Sequence, residues 1–416
     1  MAILKKDLIL FEEEYKNKVF NDCFNNTYDT TLKRLDNGDY FVITGDIPAM
    51  WLRDSSAQVM HYLHFVNEEN IKSLIKGILA KQFEQIIIDP YANAFMEDEN
   101  HESMWAKYVK TDYHPKIVWE RKFELDSLCY PLFLLVKYYK KTSDKEPFNE
   151  QFLEAFDKII KTVRIEQHHN ELSTYFFYIK DPWGTAVQDV GKNTNPEEEK
   201  GLVWSGFRPS DDMCKYNYHI PDNMFLVSIL NSLSPIFKNI LNDVKRSQIC
   251  DELVNELRPL IEKYGIVEVE GIGKIYVSET NCMGSWHADD DANVPSLLSI
   301  PYLEYPFIDN KIYANTRKFI LSNRNKYYYE GKVLHGIGSP HTPKDMVWTI
   351  ALSMQGLTSN NEKEKEECLN MLFETSKADG LMHEGVDVND VTKFTRPWFA
   401  WANSLFAEFI LSYLKK

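Results

Sequence analysis

The stretch ANSLFAEFILSYL, residues 402–414, decides the fold class. Ala402, Leu405, Phe406, Phe409, Ile410, Tyr413 and Leu414 recur at spacings of three and four and form a wide apolar helical stripe. Working back along the chain, the same period returns in Ile249, Leu253, Leu257, Leu260 and Ile261, and in Leu230, Leu233, Phe237, Ile240 and Leu241. It returns again in Phe148, Phe152, Phe156, Ile159, Ile160 and Val163, and in Ile71, Leu74, Ile75, Ile78 and Leu79. Helix starts are expected near Ser143 or Asp144, at Asp222, at Ser339-Pro340 and in the charged run 360–367. Strand-like stretches are few: Ser173–Tyr178 and Ile266–Val277, the latter with Gly271 and Gly273, read as short hairpins.

Between the helices lie loops dense in Trp, Arg, Asp, His and Gly: 45–56, 89–105, 201–212, 281–293 and 335–345. No Gly/Ser/Pro linker or composition shift marks a boundary, and the polar run 193–200 (NTNPEEEK) reads as a solvated loop. A helical solenoid needs a fixed repeat of roughly 20–50 residues, and the sequence has none. The expectation is therefore one all-α domain over residues 1–416, an (α/α)₆ barrel of about twelve helices in two layers. Its loops would form a pocket at one end, with a few short β-hairpins among them.

Composition limits the partners. A net charge of −15 repels phosphate backbones, so nucleic acid is not an expected partner. Aromatics at 13% suit either a large core or a sugar site. The six cysteines (Cys23, Cys129, Cys214, Cys250, Cys282, Cys368) are scattered without a CxxC pair, which fits a reducing compartment. The first apolar patch is too short for a signal core and runs into Glu12, Glu13 and Glu14. No run approaches the ~20 apolar residues of a membrane span. The reading is a cytoplasmic protein without a membrane partner.

Five clusters carry chemistry. In the first, Arg53 and Asp54 follow Trp51, setting a fork of donors beside an acceptor, a pair suited to vicinal hydroxyls or to a structural salt bridge. In the second, Glu124 and Asp126 can face one side of the chain, although Asp126 or Ser127 could equally cap the helix that follows. In the third, Arg208 precedes the adjacent carboxylates Asp211 and Asp212. If these converge, each raises the other's pKa, keeping one protonated as a general acid requires.

The fourth cluster is Trp286-His287-Ala288-Asp289-Asp290-Asp291-Ala292-Asn293. Its three Asp residues lack the alternating spacing of a calcium loop and read as the acidic start of a helix. The fifth places Glu384 in a loop before the final helix, which Trp398 and Trp401 open. No GxSxG, HExxH or phosphate-loop motif occurs. Gly271-Ile272-Gly273 and Gly336-Ile337-Gly338 are not dinucleotide fingerprints, and His61/His64 and His168/His169 lack convergent ligands in sequence. No metal and no cofactor is expected.

Together, GDIPAMWLRDSSAQ (45–58), ERKFELDSLCYP (120–131), SGFRPSDD (205–212), DDANVPSLLS (290–299) and FTRPWFAWANSLF (394–406) closely resemble glycoside hydrolase family 125. These are exo-acting α-1,6-mannosidases of bacteria and fungi. The resemblance implies an (α/α)₆ barrel, inversion at the anomeric carbon and no metal requirement. It implies Asp211 as general acid and Glu384 as general base. Arg53, Asp54, Glu124, Asp126, Arg208, Asp212 and Asn293 would fix the terminal mannose, with Trp51 and Trp286 stacking on sugar. The expected partner is an α-1,6-linked mannoside. The alternatives are another (α/α)₆ exo-glycosidase, such as a glucosidase, and a carbohydrate-binding protein without turnover.

Overall fold

Helices form from end to end. In chain order they are α1 (Glu14–Thr30), α2 (Leu52–Ala57), α3 (Glu69–Ile88), α4 (Leu125–Thr142), α5 (Glu150–Glu166) and the single turn α6 (His169–Leu172). They continue as α7 (Ile220–Asn239), α8 (Val244–Tyr264), α9 (Asn310–Ile320), α10 (Thr349–Leu357), α11 (Glu362–Thr375) and α12 (Ala400–Leu414). The computed structural model describes residues 7–100, 103, 106–180, 187–192 and 200–414. The run 193–200, except Lys200, lies outside them, as do His101, Glu102, Met104 and Trp105 of the loop 89–105.

The helices sort by burial into two layers. α2, α4, α7, α10 and α12 are buried almost all round, whereas α5, α8, α9 and α11 bury one face. α2 packs on α4, α4 on α7, α10 on α12, and α12 returns to α2. Between α7 and α10 the inner ring is completed by turns over 296–304 rather than by a helix. Leu297, Leu298, Ile300 and Leu303 fill that position. Ser228 of α7 donates to the Leu303 carbonyl at 2.6 Å, and the Tyr302 hydroxyl donates to Glu408 of α12 at 3.1 Å. Outside this ring α1 packs on α12, α3 on α4, α8 on α7 and α11 on α10, with α5 against α3. The alternation of outer and inner elements closes six pairs, the (α/α)₆ pattern the sequence predicts. Close approach of α10 to α12 depends on Gly356, where an added Cβ would lie 2.2 Å from the Phe409 ring.

Strands are short and antiparallel. The 266–277 hairpin forms as expected, with Ile266 opposite Tyr276. The segment Ser173–Tyr178 does not form a hairpin. Its strand is Phe177–Lys180, paired with Val187–Val190 and Val109–Thr111. Tertiary packing explains the difference: Tyr175 is buried, stacks on Tyr91 and donates to the Arg121 carbonyl at 3.1 Å, which fixes an irregular backbone.

Several caps also differ from the sequence reading. Asn149, not Ser143 or Asp144, caps α5, while Ser143 ends α4 in the left-handed conformation. Asp222 lies inside the first turn of α7 beside His219 at 2.9 Å, and 339–345 lead into the strand Met346–Trp348 instead of a helix. α12 opens at Ala400, so Trp398 precedes it, with its indole N–H donating to Thr30 at 3.0 Å. No helix follows Asp289–Asp291. Asp290 instead accepts from the Leu297 and Leu298 amides at 2.7 and 3.0 Å and caps the 296–304 turns.

Candidate active site

The polar cluster gathers at the N-terminal ends of the inner helices. Trp51 is the N-cap of α2 and Glu124 that of α4; Asp54 and Asp126 sit in the first turns, and Trp348 precedes α10. Unpaired amides and the positive end of each helix dipole favour carboxylates there.

Arg53 is the hub. Its guanidinium lies 2.8 Å from Glu124, 3.2 Å from Asp126, 2.9 Å from Asp211 and 3.4 Å from Asp54. One buried cation cannot keep four buried carboxylates ionised. Burial, opposed by Arg53, raises Asp54 to about 6 and Asp126 to about 7, and it pushes Glu124 well above the carboxylate range. Asp211 goes the other way. Burial alone would raise it, but Arg53, Lys122 and a hydrogen bond from Glu124 outweigh that and hold it well below its usual range. The proton therefore resides on Glu124, one hydrogen bond from Asp211. Glu124 Oε2 accepts from Arg53 at 2.8 Å and from Ser127 at 3.1 Å, and no donor reaches its buried Oε1, which is therefore the oxygen free to carry the proton.

Asp211 reaches this cluster from a strained turn. Its φ is +62°, in the left-handed region that Asp tolerates better than most residues. The Asp211 amide donates to the Arg208 carbonyl at 2.9 Å, and the Arg208 amide donates to that of Asp212 at 2.8 Å. The turn sends neighbouring side chains to different partners. Asp212 lies 3.5 Å from both His341 and Arg208, which outweigh its burial and lower its pKa. Mutual elevation of two adjacent carboxylates, expected from the sequence, does not occur, because each has its own cations.

Glu384 is fixed from a separate part of the chain. Strand Gly385–Asp387 pairs with Met346–Trp348, the Thr349 amide donates to the Glu384 carbonyl at 3.2 Å, and the Thr349 hydroxyl donates to the His383 carbonyl. Thr395 donates to Glu384 Oε2 at 3.0 Å while accepting from the Gly385 amide at 2.9 Å. Arg396 stands 3.6 Å from Oε1 and is itself held by Asp46 at 2.5 Å. Burial raises the Glu384 pKa despite Arg396 and His341. His341 is raised to about 9: burial opposes its charge, but Asp212 and Glu384 favour it.

Asp211 and Glu384 line one small cavity. Trp51, Arg53, Asp54 and Asn293 line it too, and the sequence reading missed His341, Trp348, Arg396, Phe399 and Trp401. His341 lies in the flagged loop 335–345 and Arg396 in the motif 394–406, but nothing in sequence shows that they converge on Glu384. Trp51, Ser210 and Asn293 line the cavity, and their buried Nε1, Oγ and Nδ2 have no hydrogen-bond partner within the protein.

The other candidates stand further back. Glu124 and Asp126 lie behind Arg53, whose own nitrogens face carboxylates. Arg208 sits 3.6 Å from Asp291 and 3.8 Å from Glu279. Trp286 is 38% exposed on the strand pair Glu279–Thr280/Trp286–His287 and lines no part of this cavity. Among the described residues no group of three His, Cys, Asp or Glu side chains is placed to hold a metal ion. In the acidic run, Asp289 pairs with Lys326 at 3.0 Å, Asp290 is committed to backbone amides, and Asp291 faces Arg208.

Comparison with known proteins identifies the family and the fold. Residues 13–411 match the family model described as metal-independent alpha-mannosidase (GH125). A curated relative from Schizosaccharomyces pombe, the meiotically up-regulated gene 157 protein, is 38% identical over 97% of this chain and 83% of its own. A Streptococcus pneumoniae metal-independent α-mannosidase, solved as a non-productive complex with α-1,6-mannobiose, superposes with a TM-score of 0.91 at 39% identity, covering 96% of this chain and 94% of that one. A bacterial glucoamylase with acarbose shares the fold alone, with a TM-score of 0.62 at 11% identity over 97% of this chain and 56% of that one. The chain belongs to glycoside hydrolase family 125, the metal-independent α-mannosidases, and carries their (α/α)₆ barrel.

Proposed function

We propose that the protein is an inverting exo-α-1,6-mannosidase in which Asp211 is the general acid and Glu384 the general base. The observation that carries this reading is an asymmetry. Asp211 lines both the small cavity and a larger cleft beside it, whereas Glu384 lines only the smaller one. A terminal mannose in the small cavity would direct its leaving oxygen past Asp211 into the cleft, with water held by Glu384 on the opposite ring face. Inversion needs carboxyls roughly 6.5–9.5 Å apart to admit that water. Exo action is supported by the contrast between the two: the cavity that holds Glu384 is far smaller than the cleft beside it. The α-1,6 linkage is supported by the mannobiose bound to the pneumococcal relative.

Asp211 must carry a proton when the glycosidic bond breaks. Glu124 holds one and donates its hydrogen bond to Asp211, so transfer along that bond arms the acid and leaves Glu124 ionised against Arg53. Glu384 takes a proton from water as oxygen attacks C1, and Thr395 and Arg396 stabilise its ionised form. Trp51, Trp348, Phe399 and Trp401 supply apolar walls, while Asp54 and Asn293 supply polar contacts to the ring. The six buried cysteines, scattered without a CxxC pair, support a cytoplasmic setting, which cell fractionation would check. The functional test is mannose release from α-1,6-mannobiose without glucose release from isomaltose. The proposal fails if mannobiose is inert, or if Asp211→Asn and Glu384→Gln keep near wild-type rates.

A further inference from the structure

We infer that the cleft beside Asp211 binds the mannoside chain beyond the first leaving sugar, so that the enzyme prefers α-1,6-linked oligosaccharides of three or more units to the disaccharide. This rests on the reading of Asp211 as proton donor. Ile47, Trp51, Asp211 and His341 line both the cavity and the cleft, which makes the two a continuous opening with Asp211 at the junction. A leaving oxygen protonated there has its sugar on the cleft side. At about 1,060 Å³ the cleft stands at the upper end of the usual ligand range of roughly 1,000 Å³. It extends past the junction to Leu32, Lys33, Met96, Glu97 and Trp119.

The chemistry of those walls selects a neutral sugar chain. Lys33 is paired with Glu97 at 2.5 Å and Lys122 with Glu120 at 3.3 Å, so the cations are locally neutralised. Asp46 is paired in turn with Arg396 at 2.5 Å and Asp211 with Arg53 at 2.9 Å, so the charges of the lining are balanced and give an anionic occupant little attraction. Between the charged pairs lie Leu32, Ile43, Pro48 and the half-buried Trp119. Apolar faces interrupted by paired donors and acceptors match a pyranose, with its C–H faces and hydroxyl edge. The pair 32–34/40–42 is a closed antiparallel ladder, with Lys33 opposite Phe41, so this wall is formed before substrate arrives.

The test compares initial rates on linear α-1,6-mannotriose and α-1,6-mannobiose for the wild type and for Lys33→Ala/Glu97→Ala. Removal of an exposed ion pair changes stability little, so the variant should fold. The trisaccharide should exceed mannobiose in kcat/KM by about tenfold in the wild type, the contribution of one stacked ring or of one or two added hydrogen bonds. In the variant this advantage should fall to about threefold or less, with mannobiose turnover as the internal reference. Equal kcat/KM for the two sugars in the wild type overturns the inference, as does a full advantage retained in the variant. Absence of mannobiose turnover in the wild type is a separate result: it rejects the proposed activity, and the subsite with it.

Discussion

Replacing Glu124 with Gln separates holding Arg53 from supplying a proton. Because Glu124 carries its proton in the folded protein, the amide is a close substitute: its oxygen accepts from Arg53 and Ser127, and its NH₂ donates to Asp211 in place of the O–H. Folding stability should change by less than about 1 kcal/mol, since each net hydrogen bond is worth only about that much and none is lost. Glu124→Ala, by contrast, strips Arg53 of a hydrogen bond worth about 1.5–3 kcal/mol and should lower the melting temperature clearly. The amide cannot pass a proton on, so kcat for Glu124→Gln on α-1,6-mannobiose should fall at least ~100-fold, the lower end of general-acid contributions, or about 2.7 kcal/mol of barrier. The matched assay uses 2,4-dinitrophenyl α-mannoside, whose phenolate departs without protonation. On that substrate the variant should stay within a few-fold of the wild type. A mannobiose kcat within about twofold of wild type, with an unchanged melt, would refute the proton path through Glu124.

Asp211→Asn tolerates the +62° φ and should fold normally while losing ~10²–10⁴-fold in kcat on mannobiose, measured by mannose release. His341→Asn removes a cation that favours ionised Glu384, so the carboxyl pKa rises further. Activity needs Glu384 ionised, so the acidic limb of the pH–kcat/KM profile should move to higher pH; a shift to lower pH would contradict the arrangement. Gly356→Ala forces a Cβ against Phe409 between α10 and α12 and should cost about 1–3 kcal/mol, seen as a lowered melting temperature. Exhaustive chelation should leave turnover unchanged, and restoration of lost activity by a divalent ion would contradict the family's metal-independent chemistry.

The helical period in 402–414 and its counterparts upstream made the barrel legible, because an inner helix must be apolar nearly all round and an outer one along a stripe. Boundaries were less legible. Asn149 caps α5 in place of Ser143, since capping depends on which side chain reaches the free amides, and several polar residues compete. The 296–304 segment shows why an inner position can escape a period search: its register is set by Asp290 and by Ser228 from elsewhere in the chain.

At the site, motif spacing marked Asp211 and Glu384, but their electrostatics depended on long-range partners. Arg53 and Lys122 decide the charge of Asp211, and Arg396, His341 and Thr395 surround Glu384, none of them adjacent to it in sequence. Arg53 illustrates the limit. Its neighbourhood suggested sugar recognition, yet the fold surrounds it with four carboxylates from three segments.

In the proposed mechanism two carboxyls lie on opposite faces of one ring, with water beside Glu384 and the leaving oxygen beside Asp211, and this fixes the anomer that forms first. Proton NMR during the opening minutes of α-1,6-mannobiose hydrolysis reads it directly. β-Mannose should appear first and then mutarotate; initial release of α-mannose would contradict the mechanism.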